Sequence, residues 1–298
     1  MENVLTLITP NDSHDLEDGA QAEARTVLAE LGARLGETTI LKPDIALDIP
    51  FEGLPPVAAR AAVRQRIEGW PIDVIAQPAE NRRKKLLIAD MDSTIVIGET
   101  LDDLADHAGL KDKVARITER AMNGEVGFRG ALVERVGLLK GLSESMLAET
   151  MADTALTSGA RTLVQTMRQN GAYCALVSGG FTYFTEQVAD ICGFHTHRGN
   201  ILNIENGQLT GTVGEPIVNK DTKLDCLKTF SAERNIDLKE TCAVGDGAND
   251  LPMLMAAGLG IAFHAKPVVA AEAKYRIEFN DLTALLYAQG YRVEEFAK

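Results

Sequence analysis

The chain has 298 residues, which is longer than a typical single domain and favours a main domain with a smaller companion. Its 43 acidic residues outnumber its 30 lysines and arginines, and the net charge of -13 disfavours binding to nucleic acid or to an anionic membrane surface. No apolar run approaches the length that spans a bilayer, and no basic leader precedes the first apolar segment, so neither membrane insertion nor export is expected. The acidic charge leaves small molecules as the expected partners. The four cysteines lack C-x-x-C spacing, which predicts reduced thiols in a cytoplasmic protein.

Residues 1–80 are predicted to form a small α+β domain of the ferredoxin-like kind. The pattern predicts strands at the two ends of this region, extended segments in its middle, and helices over 20–35 and 57–69. This order of elements resembles amino-acid-sensing modules, while a role in stability or in homodimerisation fits it equally well. The run QPAENRRKK then predicts a solvated linker near Asn81.

Residues 81–298 are predicted to form an α/β domain with a Rossmann-like, doubly wound parallel sheet. The apolar runs LLIAD, AYCALVS, TCAVGD and GLGIAF are each followed by a helical segment, which is typical of a parallel sheet covered on both faces. A long helical stretch interrupts this alternation after the first strand and predicts a helical cap over about 99–168. The alternation around Asn206-Gly207 predicts a β-hairpin with a type I′ turn.

Carboxylates follow two of the predicted strands. Asp90 and Asp92 come directly after the first strand, and side chains two residues apart leave a strand on the same face. Asp246 follows a later strand and should reach the same edge of the sheet, where open α/β sheets bind ligands. Because close carboxylates repel unless a proton or cation intervenes, and because their oxygens are hard ligands, the set predicts a Mg²⁺ site.

Two further features predict binding of a phosphate. The second strand ends in Ser178, Gly179 and Gly180, which offer a hydroxyl and backbone N–H groups near a helix N-terminus, and Lys223 supplies a positive charge. With the carboxylates, these features predict phosphoryl transfer with a carboxylate nucleophile. Each motif alone is more often a turn, a loop or a solvated lysine. Their order, and their placement at strand-to-helix junctions, favour the joint functional interpretation.

The motifs DMDST, VSGG, the lysine of DTKLD and GDGAND match in type and order those of the haloacid dehalogenase superfamily. Within it the chain most resembles the phosphoserine phosphatase family, from about Lys84 to the C-terminus. The resemblance implies that Asp90 attacks phosphorus, and that Asp92 protonates the leaving oxygen and later activates water. It also implies a Mg²⁺ site formed by Asp90, Asp246 and the backbone carbonyl of Asp92. The phosphate site would be formed by Ser178, Gly179, Gly180 and Lys223. Asn249 and Asp250 would orient the two sites.

The same resemblance implies a selectivity site in the cap. Phosphoserine carries an ammonium and a carboxylate, so its site needs an anion and a bidentate cation, for which Glu99 and Arg135 are the candidates. The stretch MNGEVGFRGALVERVGLLKG resembles the family's cap segment, in which Met122 and Phe128 would pack over the substrate and Arg135 would bind its carboxylate.

Three alternatives remain open. Another small phosphomonoester such as phosphothreonine fits the motifs, whereas Glu99 and Arg135 disfavour a phosphosugar. A phosphotransferase that uses homoserine as acceptor would share every motif. A non-catalytic sensor of phosphate or amino acids ranks last, because both Asp90 and Asp92 are present. His195 and His197 are expected in a surface loop without a catalytic role.

Overall fold

The computed structural model describes residues 1–10, 16–122 and 125–298, without the side chains of residues 17, 18, 121 and 122. Its N-terminal part is a five-stranded antiparallel sheet with the path β2-β4-β1-β5, in which β3 also pairs with β4. The strands are β1 Asn3–Ile8, β2 Arg34–Leu35, β3 Thr39–Lys42, β4 Ala46–Glu52 and β5 Asp73–Pro78, and the helices are α1 Gln21–Glu30 and α2 Pro56–Arg66. Helix α1 ends before the predicted residue 35, because Gly32 takes a positive φ of 84° and the chain then joins β4 as β2.

Both faces of this N-terminal sheet are buried. Side chains of one face, including Leu5, Leu47 and Phe51, pack with residues of α1 and α2 in one apolar core. The opposite face follows the two-residue period of a strand and carries polar side chains. These are Thr6, Asp48, Asp73 and Gln77, all at most 5% exposed. The sheet therefore presents a polar face that the rest of the chain covers.

The second sheet is parallel and has the strand order β13-β12-β11-β6-β7-β8. Its strands are β6 Leu86–Ala89, β7 Tyr173–Phe181, β8 Thr196–Asn200, β11 Thr241–Gly245, β12 Leu259–Phe263 and β13 Tyr275–Ile277. The helices after the cap are α7 Ala160–Gln169, α8 Thr182–Cys192, α9 Lys220–Glu233, α10 Leu251–Ala256, α11 Pro267–Glu272 and α12 Ala284–Ala288. Separate apolar cores cover its two faces, which confirms the predicted doubly wound α/β class. Because β7 and β11 flank β6, the strand order reverses at β6, where a ligand crevice is expected.

Four helices form the cap after β6, namely α3 Thr100–His107, α4 Lys111–Met122, α5 Phe128–Gly137 and α6 Ser145–Asp153. The two segments that connect the cap to the sheet pair with each other, since the Ile97 N–H donates to the Ala155 carbonyl at 2.9 Å. Helix α7, which fell within the predicted cap, instead packs against β7 and α8 in the sheet layer. Within the described residues, no helix has the length and apolar character needed to cross a membrane.

The hairpin β9 Leu202–Glu205 and β10 Gln208–Val213 leans on the cap. Asn206 and Gly207 between its strands both have positive φ, 51° and 75°, as a type I′ turn requires. The Leu209 carbonyl accepts a hydrogen bond from the Gly141 N–H at 2.8 Å, at the end of the α5 segment. The predicted hairpin is confirmed, and its backbone holds one side of the cap.

The prediction of a solvated linker near Asn81 holds for residues 78–81, 83 and 85, which are exposed, but not for Arg82 and Lys84. Arg82 donates hydrogen bonds to both oxygens of Asp48, at 2.5 and 2.7 Å, and also to the carbonyls of Tyr287 and Ala288. Lys84 is only 6% exposed and donates to the Lys239 carbonyl at 2.8 Å. Two basic side chains that look solvated in sequence are thus withdrawn from solvent, because Asp48 of the N-terminal sheet and carbonyl groups of the second part of the chain accept their hydrogen bonds. The division of the chain between residues 80 and 81 stays a prediction.

Candidate active site

A cavity of about 1050 Å³ lies between the carboxyl edge of the parallel sheet and the cap. Most of the site residues that were predicted from the sequence come together in this cavity, although they belong to distant segments of the chain. Those that line it are Asp90, Asp92, Glu99, Phe128, Arg135, Ser178, Gly179, Gly180, Asp246 and Asn249. Lys223 and Asp250 lie beneath its floor, where they are 1% and 0% exposed.

Asp90 lies at the floor of the cavity because β6 ends there. Its backbone N–H still donates to the Val244 carbonyl of β11 at 3.0 Å, so the sheet fixes its position. One carboxylate oxygen accepts from the Met91 N–H at 2.8 Å, and the other lies 2.8 Å from the Lys223 ammonium. The chain then reverses through Ser93, which has a φ of 54°. Strand, turn and lysine together hold this carboxylate in one orientation.

Lys223 joins two buried carboxylates. Its ammonium lies 2.8 Å from Asp90 and 2.6 Å from Asp250, while the second Asp250 oxygen accepts from the Gly247 N–H at 3.0 Å. Burial alone would lower the pKa of Lys223, but the charges of Asp90 and Asp250 raise it. The lysine therefore stays charged next to the carboxylate of Asp90.

Asp92 faces the same cavity in a different environment. One of its oxygens accepts from the Thr100 N–H at 2.9 Å, and the other lies 3.4 Å from the Ser178 hydroxyl. Burial, reinforced by the charge of Glu99, raises the pKa of Asp92 to about 7. Asp92 therefore exchanges a proton near neutral pH, which is the property of a general acid and base.

Ser178, Gly179 and Gly180 form the end of β7, directly before α8. The Ser178 oxygen accepts from the Gly180 N–H at 2.8 Å, so the turn is held by its own hydroxyl. A methyl group on Gly180 would lie 2.7 Å from an Asp92 oxygen, and one on Gly179 would lie 3.5 Å from the Phe128 ring. Glycines at these two positions leave room for a ligand between strand and cap.

The carboxylates fit a divalent cation. Asp90, Asp246 and Asp250 each offer an oxygen within 4.8 Å of the others. Burial and the charge of Asp90 raise the pKa of Asp246, so the cluster holds negative charge that the nearby lysines only partly offset. Three hard oxygen ligands with this charge suit Mg²⁺. The side chain of Asp250 thus joins this cluster, while the Asp92 carboxylate points to Thr100 and Ser178.

The cap contributes an anion, a cation and an aromatic ring to the cavity wall. Glu99 is exposed at the start of the cap and accepts from the Ser93 hydroxyl at 2.9 Å, and partial desolvation followed by the charge of Asp246 raises its pKa. Phe128 begins α5 and is 43% exposed, and Arg135 is half-buried about two turns later in the same helix. Met122 ends α4, and its side chain lies outside the described residues.

Sequence reasoning missed Lys266 at the rim of the cavity. Lys266 lies three residues after the end of β12, at the start of α11. Its positive charge lowers the pKa of Asp246, although burial, which raises that pKa, has the larger effect. The rule that located Asp246, that side chains after parallel strands gather at one edge, would also have located Lys266. His195 stacks on Tyr173, and His197 lies within β8 with Nδ1 2.9 Å from the Thr185 hydroxyl. His197 is therefore a strand residue, contrary to the predicted loop, and neither histidine lines the cavity.

Comparisons with known proteins agree with this geometry. The sequence profile of the haloacid dehalogenase-like hydrolase family matches residues 87–255. A phosphoserine phosphatase of Archaeoglobus fulgidus is 42% identical over 228 residues, which are 76% of this chain and 66% of that protein. A phosphoserine phosphatase of Streptomyces coelicolor is 37% identical over 286 residues, 95% of this chain and 70% of that protein.

A solved structure extends the likeness to the N-terminal part. A haloacid dehalogenase family hydrolase from Salmonella enterica serovar Typhi superposes with a TM-score of 0.84 at 28% identity, covering 96% of this chain and 98% of that one. Its fold is thus shared over both sheets. The family profile covers more than half of the chain, and the relatives match along most of it. The chain therefore belongs to the haloacid dehalogenase-like hydrolase family and groups there with the phosphoserine phosphatases.

Proposed function

We propose that the protein hydrolyses L-phosphoserine to L-serine and phosphate through an aspartyl-phosphate on Asp90, with Mg²⁺ as cofactor, as the last step of serine biosynthesis. One observation carries the proposal: a carboxylate oriented by Lys223 shares a cavity floor with a second carboxylate, Asp92, whose pKa is raised to about 7. The names of the curated relatives support phosphoserine as the substrate.

In the first half-reaction an Asp90 oxygen attacks phosphorus and the bond to the serine oxygen breaks. Asp92 in its protonated form gives its proton to that departing oxygen, for which a pKa near 7 is suited. The Ser178 hydroxyl, which lines the cavity, would bind a phosphoryl oxygen, and the Lys223 ammonium beside Asp90 would offset the negative charge of the phosphoryl group. Mg²⁺, held by Asp90, Asp246 and the backbone carbonyl of Asp92, would supply positive charge that lowers the repulsion between Asp90 and the phosphate.

In the second half-reaction Asp92, now ionised, takes a proton from a water molecule. The resulting hydroxide attacks the aspartyl-phosphate, and the P–O bond to Asp90 breaks to release phosphate and the free carboxylate. The proton that Asp92 gave to serine in the first step is thereby replaced from water. One group performs both steps because its pKa lies close to the working pH.

Residues of the cap would select the substrate. The carboxylate of Glu99 is suited to the substrate ammonium, and the fork of Arg135 to the substrate carboxylate. Phe128 stands against Gly179 and would cover the substrate, which keeps bulk water away from the first half-reaction. A serine-forming enzyme with four buried, unbonded thiols also fits the cytoplasm, which we propose as its location.

The first experiment measures phosphate release from L-phosphoserine, O-phospho-L-threonine and glucose 6-phosphate, with Mg²⁺ and with EDTA. We expect preference for phosphoserine, and loss of at least about 10³-fold in kcat for Asp90→Asn. Asp190→Asn, which removes an exposed carboxylate from α8, serves as the matched control. Acid quench during turnover followed by mass spectrometry should find phosphate on the peptide that contains Asp90.

Each part of the proposal has its own contrary result. Preference for another ester contradicts the substrate and leaves the mechanism standing. Full activity of the Asp90→Asn variant contradicts Asp90 as the nucleophile. Full activity of the wild type in EDTA after exhaustive dialysis contradicts the need for a metal. Formation of phosphohomoserine in place of free phosphate when homoserine is added would identify a phosphotransferase.

A further inference from the structure

We propose that Asp102 is a positioning residue that holds the guanidinium of Arg135 in the orientation that receives the substrate carboxylate. The inference rests on the proposed function, because it assigns a partner to the cation that would select phosphoserine. Asp102 itself does not line the cavity, whereas Arg135 does. Asp102 would therefore act through Arg135.

The first observation is a buried oxygen without a partner. Asp102 lies in the first turn of α3, and its Oδ1 is buried but has no hydrogen-bond partner in the described part of the chain. Leaving a buried acceptor unsatisfied is costly, and most such groups in native proteins are paired. A charged oxygen in this state calls for a donor that reaches it in another state of the protein.

The second observation is a cation with free donors on α5, whose Leu132 lines the same cavity as Leu101 of α3. Helices α3 and α5 share one apolar core through Leu101 and Leu104 on one side and Leu132 and Val136 on the other. Arg135 projects from this part of α5 and is half-buried. Its only hydrogen bond among the described residues runs from Nε to the Ala131 carbonyl in its own helix, at a long 3.4 Å.

The charges of the two side chains are coupled. Burial lowers the pKa of Arg135, and the negative charge that opposes this most strongly is that of Asp102, ahead of Glu99 and Asp92. Glu99 and Asp92 line the cavity and have roles toward the substrate. Of these three carboxylates, Asp102 is thus the one that lies outside the cavity and has no proposed role toward the substrate.

Positioning matters because a long side chain loses entropy when it binds. A guanidinium that one carboxylate holds in place keeps its remaining N–H groups directed at a second carboxylate, so less freedom is lost on binding. Removing the charge of Asp102 should therefore weaken substrate binding without altering the attack of Asp90. The effect should appear in KM and should need a substrate carboxylate.

Two substrates separate this role from a merely structural one. L-Phosphoserine has the carboxylate, and O-phosphoethanolamine has the same phosphate and ammonium without it. We expect Asp102→Asn to lower kcat/KM for phosphoserine about tenfold, mainly through KM, and to leave phosphoethanolamine unchanged. Asp103→Asn is the matched control, because it removes an exposed carboxylate from the same helical turn. It should change neither substrate.

A double-mutant cycle tests the coupling to Arg135. In the Arg135→Met background, Asp102→Asn should have no further effect on phosphoserine, because the group it positions is gone. If Asp102→Asn proves too unstable, Asp102→Glu keeps the charge near the helix N-terminus and displaces the carboxylate by one methylene. That variant should stay folded and lose part of its selectivity for phosphoserine.

The outcomes distinguish the inference from the function beneath it. A wild type that does not prefer phosphoserine over phosphoethanolamine contradicts Arg135 as the carboxylate site, and with it the proposed substrate. A wild type that does prefer it, combined with equal losses on both substrates in Asp102→Asn, overturns the positioning role alone. Additive losses in the double variant overturn it as well.

Discussion

Asp73, at the start of β5, accepts a hydrogen bond from the Glu278 N–H at 2.7 Å just after β13. The same carboxylate accepts from the backbone N–H groups of Phe279 and Asn280, both at 3.2 Å, and from the Asn280 side chain at 2.8 Å. One buried carboxylate of the N-terminal sheet thus binds the loop that follows the last strand of the parallel sheet. The two sheets are joined by specific polar contacts that a flexible linker would not provide.

Replacing Asp73 should destabilise the whole chain. Asp73→Ala leaves four partly buried donors without their acceptor, and we expect a loss of about 2–4 kcal/mol in the free energy of unfolding. Urea denaturation monitored by circular dichroism measures it. Glu68→Gln, at an exposed site of the same domain, should cost less than about 0.5 kcal/mol. A loss of stability for Asp73→Ala no larger than that for Glu68→Gln would show that the contacts of Asp73 with residues 278–280 contribute nothing to the free energy of unfolding.

Lys223 should prove necessary for stability, through Asp90 and Asp250, and for catalysis, through the phosphate of the substrate. Lys223→Met leaves Asp90 and Asp250 buried without their cation, so we expect about 3–5 kcal/mol of destabilisation and a fall in kcat of at least about 100-fold. Adding Asp250→Asn removes one unpaired charge and should recover much of the stability, while activity stays lost. Thermal denaturation and phosphate release follow the two effects separately. Recovery of activity in the double variant would contradict a direct role of Lys223 toward the phosphate.

The metal-free protein should be more stable at pH 6 than at pH 8. Burial raises the pKa of Asp92 to about 7 and also raises that of Glu99 and Asp246, so the folded protein holds protons that the unfolded chain has released. This contribution to stability is present at low pH and is lost as the pH rises toward 7. Melting temperatures in EDTA at pH 6 and pH 8 measure it, and Asp92→Asn should narrow the difference.

Mg²⁺ should stabilise the protein more at pH 8 than at pH 6, which opposes the pH dependence of the metal-free protein. At pH 8 the carboxylates are ionised and available as ligands, whereas at pH 6 protons compete for them, so Mg²⁺ should raise the melting temperature more at pH 8. KCl at the same ionic strength controls for non-specific screening. An equal rise at both pH values would indicate binding away from these carboxylates.

The sequence predicted the parallel sheet and the cavity floor well because both depend on local patterns. LLIAD and TCAVGD are short apolar runs that end in aspartate, and the edge at which they meet follows from topology alone. The hairpin was equally local, since Asn206-Gly207 by itself favours positive φ at both positions.

What the sequence did not predict depends on contacts between distant segments. Arg82 and Lys84 look solvated in QPAENRRKK, and only the approach of Asp48 and the carbonyl groups near α12 buries them. Helix α7 is amphipathic like the cap helices α3 and α4, so its packing against β7 and α8 could not be read from its own residues. Asp102 was missed because an aspartate in a first helical turn normally needs no explanation beyond the helix dipole.

The two glycines after Ser178 should respond differently to alanine. A methyl group on Gly180 would stand 2.7 Å from an Asp92 oxygen and would displace the carboxylate that moves the proton, so we expect Gly180→Ala to lower kcat by about 10- to 100-fold. A methyl group on Gly179 would meet the Phe128 ring at 3.5 Å, an ordinary contact distance, and should mainly raise KM. Steady-state kinetics with phosphoserine separate the two effects. In the Phe128→Ala background, Gly179→Ala should change KM less than in the wild type, whereas Gly180→Ala should keep its full effect on kcat because Asp92 is unchanged.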